Sequence, residues 1–231
     1  MSFNLDEFND RGFVVLSESM STDWVRTTND WNQTHGLVDR GHDVDGNYIA
    51  KAKHDNRLVN MANWWSQDVT DLQFVADAEH FFMPHIARLL DNPVLYHSDF
   101  VVTTLQHRGV RPHIDTPYRF ESFADEDRLL GVQCLIPLHR FNSHTGGTGF
   151  VPGSHHKKWD IKKCYRGEYN QYFIDNCHQP ILNAGELLMW HPRVLHSAMP
   201  NYSAMKRTAL LMLFVEREYY DEIKVIDNIF M

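Results

Sequence analysis

Three residues, His113, Asp115 and His196, have the types and the spacing to hold one divalent ion. The first two lie in the stretch Arg111-Pro112-His113-Ile114-Asp115-Thr116-Pro117. In an extended strand, residues two apart face the same way, so His113 and Asp115 present a nitrogen and an oxygen to one point. Taken alone, the pair is better read as a strand histidine held by the backbone, because a chain with 15 histidines supplies His-x-Asp by chance. A third imidazole shifts the reading. His196 follows a turn and a strand, Gly185-Glu186-Leu187-Leu188-Met189-Trp190, far enough along the chain for intervening strands to fold it back. Two histidines and a carboxylate on one side of an ion leave its other side open, which suits iron(II) oxygenases. His191 competes for the third place, but it precedes Pro192 at a strand end and ranks lower.

Arg207 is a fourth candidate. It opens the most apolar strand, Thr208 to Val215. An arginine at the edge of a barrel core needs an anionic partner, and a bidentate guanidinium–carboxylate pair would suit the far carboxylate of 2-oxoglutarate. An exposed arginine at a strand entrance is the competing reading; the position after His196 favours the functional one. The glycine-rich segment Gly146 to Gly153 lacks a Gly-Lys-Ser/Thr ending and is interrupted by Pro152, so it is a β connection rather than a phosphate loop. His155 and His156 are adjacent, and in a strand they point opposite ways. No His-x-His and no HExxH occurs, which argues against a cupin-type isomerase and a zinc hydrolase.

Bulk properties frame these residues. The 231 residues carry a formal net charge of -8, which argues against nucleic acid or an anionic membrane as a partner. Cys134, Cys164 and Cys177 form no CxxC pair, so neither a disulfide framework nor a cysteine zinc site is expected. The first residues lack the basic-then-apolar order of a signal peptide, and no apolar run reaches the ~20 residues of a membrane span. A cytoplasmic location is the expectation.

The elements that must position the candidates follow from periodicity. Gly12 to Leu16 reads as a strand, Ser21-Thr22-Asp23 as the N-cap of a helix containing Trp24, Val25 and Trp31, and residues 36–63 as loop. Leu72, Val75, Phe82, Ile86 and Leu89 recur at helical spacing, predicting a helix from Asp68 to Leu90 that Asn92-Pro93 stops. Beyond Val94 the pattern turns to short apolar strands: Phe100 to Leu105, Leu130 to Leu138, Gly149 to Val151, Leu187 to Trp190 and Thr208 to Val215. Gly/Pro turns separate them, as in a sandwich or jelly roll. The expectation is a single domain over 1–231, with 1–93 a mainly helical support and 94–231 a jelly-roll core.

On these residues the chain resembles the phytanoyl-CoA dioxygenase family of iron(II)/2-oxoglutarate oxygenases. Asp6-Glu7-Phe8 with Gly12 to Leu16 is similar to the family's opening, and His113-Ile114-Asp115 to its HxD. Gly131 to Leu138, Gly146-Gly147-Thr148 and Val151-Pro152-Gly153-Ser154-His155 resemble its central strand and PGSH turn. Gly185-Glu186 to Trp190, His196, Asn201 and Arg207 resemble its closing strands. The resemblance implies a double-stranded β-helix flanked by helices, Fe(2+) held by His113, Asp115 and His196, and 2-oxoglutarate anchored by Arg207. It further implies O2 as oxidant and hydroxylation of a small-molecule substrate, with release of succinate and CO2. Members often carry a hydroxyl two residues after the distal histidine; here that residue is Ala198, with Ser197 one earlier. Either another hydroxyl, Thr104 or Thr148, substitutes, or the carboxylate pocket differs. Asp115 occupies the place that related halogenases give to a small residue, which favours hydroxylation. Tyr118, Arg119, Phe120, Glu121 and the loop around Tyr48, Lys51 and Lys53 are candidates for the mouth, with Trp190 near the site and Arg111 or Arg119 available to a substrate carboxylate. A solvated loop fits those mouth segments equally well. The alternative to an enzyme is a non-catalytic or degenerate jelly-roll binding protein, against which the complete His-Asp-His-Arg set argues.

Overall fold

The computed structural model describes residues 4–35, 58–60, 64–103 and 109–229. The chain opens with α1 (Leu5–Arg11), whose N-cap Asn4 accepts a hydrogen bond from the Glu7 backbone N–H at 3.2 Å. Gly12 ends the helix at φ 79°, and a Cβ there would lie 2.5 Å from His155 Nδ1, so both backbone and packing demand glycine. Strand β1 (Phe13–Ser19) follows, then α2 (Thr22–His35), capped by Ser21 Oγ accepting from Trp24 N at 3.1 Å. Next come β2 (Leu58–Asn60), β3 (Trp64–Asp68) and α3 (Gln73–Ile86). The expected helix start at Asp68 is therefore late by a turn: Asp68 Oδ1 accepts from both the N–H and the hydroxyl of Thr70, closing a turn that competes with helix. The stretch expected as loop contributes β2, and residues 36–57 lie outside the described residues.

The rest supplies β4 (Pro93–Thr103), β5 (Gly131–Pro137), β6 (Thr148–Phe150), α4 (Ile161–Arg166), α5 (Asn170–Asn176), β7 (Glu186–Trp190), β8 (His196–Ala198), β9 (Arg207–Glu216) and α6 (Tyr220–Ile229). Seven strands form an antiparallel sheet in the order β1-β7-β5-β9-β4-β3-β2. The N-terminal part is thus woven into the main sheet, with β1 paired to β7 and β3 to β4, as well as supplying helices. A smaller sheet faces it. β6 pairs with β8, and isolated bridges Phe150↔His178 and His113↔His196 extend the ladder on either side. Two facing antiparallel sheets with crossovers between them make the expected jelly roll.

Alternation along the strands sorts the core. Val132, Cys134, Ile136 (β5), Leu187, Met189 (β7), and Leu210, Met212, Phe214 (β9) pack outward with Val75, Ala78, Phe82 and Ile86 of α3. Burying each of Val75, Phe82 and Ile86 contributes roughly 1.5–3 kcal/mol. The intervening residues Leu135, Leu188, Trp190 and Ala209 turn inward against Phe141, Phe150, Leu182 and Val194. β9 is covered on both faces, which is why its sequence is a continuous apolar run rather than an alternating one. No helix among the described residues is long and apolar enough to cross a membrane.

Candidate metal centre and co-substrate pocket

His113 and His196 face each other across the smaller sheet. Their backbones exchange both hydrogen bonds, His113 N to His196 O at 2.9 Å and His196 N to His113 O at 3.0 Å. This pairing sets two residues distant in sequence side by side, with ring centroids 4.4 Å apart. Asp115 is fixed two residues on by its N–H to Pro192 O at 2.8 Å. One ligand atom from each of His113, Asp115 and His196 lies within 4.8 Å of the others. Asp115 Oδ2 is 3.2 Å from His196 Nε2, and Oδ1 is 3.6 Å from His113 Nε2. Among the described residues no other group of His, Cys, Asp and Glu converges in this way.

Backbone carbonyls select which ring nitrogen is offered. His113 Nδ1 lies 2.8 Å from Arg111 O and His196 Nδ1 2.9 Å from Val194 O. A carbonyl only accepts, so each Nδ1 carries the hydrogen and each Nε2 is left for an ion. Asp115 receives one more donor, the Trp190 indole Nε1–H, at 3.4 Å from Oδ2. His196 is buried, whereas His113 keeps 33% of its side chain open.

The charges agree with a metal-ligand set. Burial and the adjacent His196 lower His113 to about 4, so it is neutral over the physiological range. Burial alone would raise Asp115, but His196 and His113 hold it well below the usual carboxylate range. Burial alone would lower His196; the Asp115 carboxylate overrides it and raises the imidazole above its ordinary value. Beside the Asp115 carboxylate, His196 therefore keeps its proton to higher pH than an ordinary histidine, and it becomes a ligand on losing that proton.

Arg207 opens β9 and is buried, 5% exposed. Its Nη1 donates to Gly147 O at 3.3 Å, and its Cζ lies 5.0 Å from the Phe141 ring centroid. No carboxylate among the described residues forms an ion pair with it, and burial lowers its pKa to about 9. Gly146 lets Gly147 approach: at φ 75° it packs so closely that a Cβ would be 2.3 Å from Pro200 O. A buried cation with no protein anion is costly. It fits a site whose missing charge arrives with a ligand.

The other sequence candidates divide. Thr148 opposes Ala198, on the face of the smaller sheet that carries His196. Ser197 belongs to the opposite face, and its hydroxyl donates to Val110 O. Thr104, Tyr48, Lys51 and Lys53 lie outside the described residues. Tyr118 is not at a mouth: it is fully buried, its hydroxyl donates to Arg128 O and accepts from Leu130 N, and burial pushes its pKa up to about 12. Phe120 is buried beside it. Arg119 is half-buried, and its charge helps to lower both His113 and Asp115. Arg111 is exposed and donates to Tyr165 O. Trp190 holds Asp115 rather than lining open space, a role that no local pattern signals because the two residues are far apart in sequence. His155 and His156 lie on a 3-10 turn, not a strand, so their rings lie close, tilted with centroids 3.9 Å apart, instead of pointing apart. His191 is buried and its Nδ1 accepts from Arg193 N, apart from the metal-ligand group.

Facing antiparallel sheets with a two-histidine, one-carboxylate face and a buried lone guanidinium define the double-stranded β-helix class of mononuclear metal proteins. The family model of phytanoyl-CoA dioxygenase (PhyH) matches residues 8–209, and the chain belongs to that family. Solved structures share the fold at low identity. EvdMO1 superposes with a TM-score of 0.64 at 17% identity, covering 92% of this chain and 49% of its own, so the present chain spans about half the length of EvdMO1. SnoN, a non-heme alpha ketoglutarate dependent epimerase from nogalamycin biosynthesis, gives 0.63 at 17% identity, over 91% of this chain and 81% of that one. HygX from Streptomyces hygroscopicus, with nickel and 2-oxoglutarate bound, gives 0.66 at 13% identity, over 94% and 88%. No curated protein sequence matches the chain significantly.

Proposed function

We propose that this protein is an Fe(II)- and 2-oxoglutarate-dependent dioxygenase that hydroxylates a C–H bond of a small-molecule substrate, releasing succinate and CO2. The observation that carries the reading is the pairing of an open His-Asp-His face with a buried guanidinium that lacks a protein anion. The donor set fits iron(II), since imidazole and carboxylate on one face leave positions for a co-substrate and O2. Family membership and the 2-oxoglutarate bound to HygX support the same co-substrate. Bound iron supplies oxidising chemistry through O2 and the 2-oxo acid.

The chain's own contribution is orientation. His113 and His196 present Nε2 because Arg111 O and Val194 O hold Nδ1–H. Trp190 steers one oxygen of Asp115. Arg207 receives the distal carboxylate and sets which way the co-substrate lies, with Phe141 holding the guanidinium in place. The inner wall of Leu135, Leu188 and Ala209 excludes water around this polar line. Arg119, half-buried and close enough for its charge to act on His113 and Asp115, is our candidate to meet a substrate anion.

Purified protein supplied with iron(II), 2-oxoglutarate and O2 is expected to release succinate, and Asp115→Ala to release none. Turnover by Asp115→Ala at the wild-type rate would refute the ligand assignment. Iron and 2-oxoglutarate binding without any succinate would favour the non-catalytic alternative.

A further inference from the structure

We propose that Thr103 is the second anchor for the distal carboxylate of the dicarboxylate co-substrate, its hydroxyl donating to the oxygen that Arg207 leaves unpaired. The inference rests on the reading of Arg207 as the co-substrate anchor and adds a residue that sets selectivity at that end of the pocket.

Thr103 and Arg207 are directly opposed in the β4–β9 ladder. Opposed residues of an antiparallel pair share a face, with Cβ atoms about 4.5–5.5 Å apart. Thr103 is 0% exposed, and its Oγ1 is a buried polar atom with no hydrogen-bond partner. Native structures seldom leave a buried hydroxyl unpaired, and those that do call for an explanation such as an absent ligand. An unpaired donor and an unpaired cation therefore lie side by side, each lacking what a carboxylate would supply to both.

The surroundings hold the pair in register. Asn201 Nδ2 donates to Met205 O at 2.9 Å and to Thr103 O at 3.4 Å, and Asn201 Oδ1 accepts from the Ser203 hydroxyl at 2.7 Å. The turn between β8 and β9 thus clamps the Thr103 backbone. Gly147 O takes one edge of the guanidinium, leaving the rest to a ligand. Ala198, on the His196 face, brings no hydroxyl, and Ser197 spends its own on Val110 O. Thr103 fills that gap from the opposite sheet.

The test is calorimetric binding to nickel-loaded protein, in which no turnover occurs, using 2-oxoglutarate and 2-oxobutyrate, a 2-oxo acid without the distal carboxylate. Thr103→Val is expected to weaken 2-oxoglutarate about tenfold or more, the loss of a hydrogen bond to a charged group. Binding of 2-oxobutyrate stays at the wild-type value, and Thr103→Ser restores 2-oxoglutarate affinity. The ligand-free Thr103→Val protein melts no lower than wild type, because the hydroxyl it loses has no partner; Thr103→Ala, which removes the same hydroxyl, must show the same split between ligands if the valine variant folds poorly. Unchanged 2-oxoglutarate affinity in Thr103→Val, or equal weakening of both 2-oxo acids, overturns the assignment of Thr103 alone. A wild-type protein that binds 2-oxobutyrate as tightly as 2-oxoglutarate overturns the reading of Arg207 and this proposal together.

Discussion

Replacing Arg207 with methionine should stabilise the ligand-free protein while removing its affinity for the co-substrate. Methionine keeps the unbranched stem and deletes the charge. Burial lowers Arg207 from the ordinary arginine range to about 9. At 1.36 kcal/mol per pH unit, carrying the charge in the ligand-free fold costs at most on the order of 5 kcal/mol. The sign follows from proton counts: the unfolded chain holds this proton more tightly, so the penalty is fully present below pH 9 and is relieved as pH rises from there toward the ordinary arginine range. Lost with the charge are the bond to Gly147 O and the contact with the Phe141 ring, about 1 and about 2 kcal/mol. The net gain is at most about 2 kcal/mol, in the same direction as when other buried charges give way to apolar side chains. For a chain of this size that raises Tm by several degrees, at about 2–4 °C per kcal/mol. Binding moves the other way. Loss of the charged partner weakens 2-oxoglutarate by about 2–5 kcal/mol, or roughly 30- to several-thousand-fold. Differential scanning calorimetry with and without 2-oxoglutarate reads both effects in one experiment. A variant that melts lower without ligand, yet still gains the full wild-type stabilisation from 2-oxoglutarate, would refute the reasoning.

Metal binding at pH 6.5 should release more than half a proton and at most one per ion, the proton of His196, whose pKa is raised above that of an ordinary histidine by Asp115, while His113 at about 4 contributes almost none. Affinity therefore rises with pH until His196 has titrated and then levels; calorimetry in buffers of different ionisation enthalpy measures the count, and release of two protons would show that His113 is charged as well. Without metal, the His196–Asp115 pair stabilises the fold below the ordinary histidine pKa of 6.5 and is lost as pH rises through the higher folded value. Tyr118→Phe should lower stability by about 1–3 kcal/mol, because the Leu130 N–H loses its acceptor in the core, and should leave the substrate KM unchanged; a KM shift at unaltered Tm would return Tyr118 to the mouth of the site.

Much of the chemistry was legible in the chain. The two-residue spacing of His113 and Asp115 predicts that extended chain turns them the same way, and they do converge, but through an isolated bridge at His113 and the Asp115 N–H bond to Pro192 O rather than within a strand. The lone arginine at the head of an apolar run, the short strands between Gly/Pro turns and the PGSH turn pointed to the same fold that the structure shows. What the sequence left open involves contacts between distant segments. The bridge His113↔His196, the indole of Trp190 on Asp115 and the opposition of Thr103 to Arg207 are matters of strand register, and register is set by the packing of whole sheets. The same cause moved Tyr118 from mouth to core and turned Ser197 away from the pocket. A polar side chain looks alike in sequence whether it meets water, a backbone carbonyl or a ligand; burial and pairing decide which, and both belong to the tertiary structure.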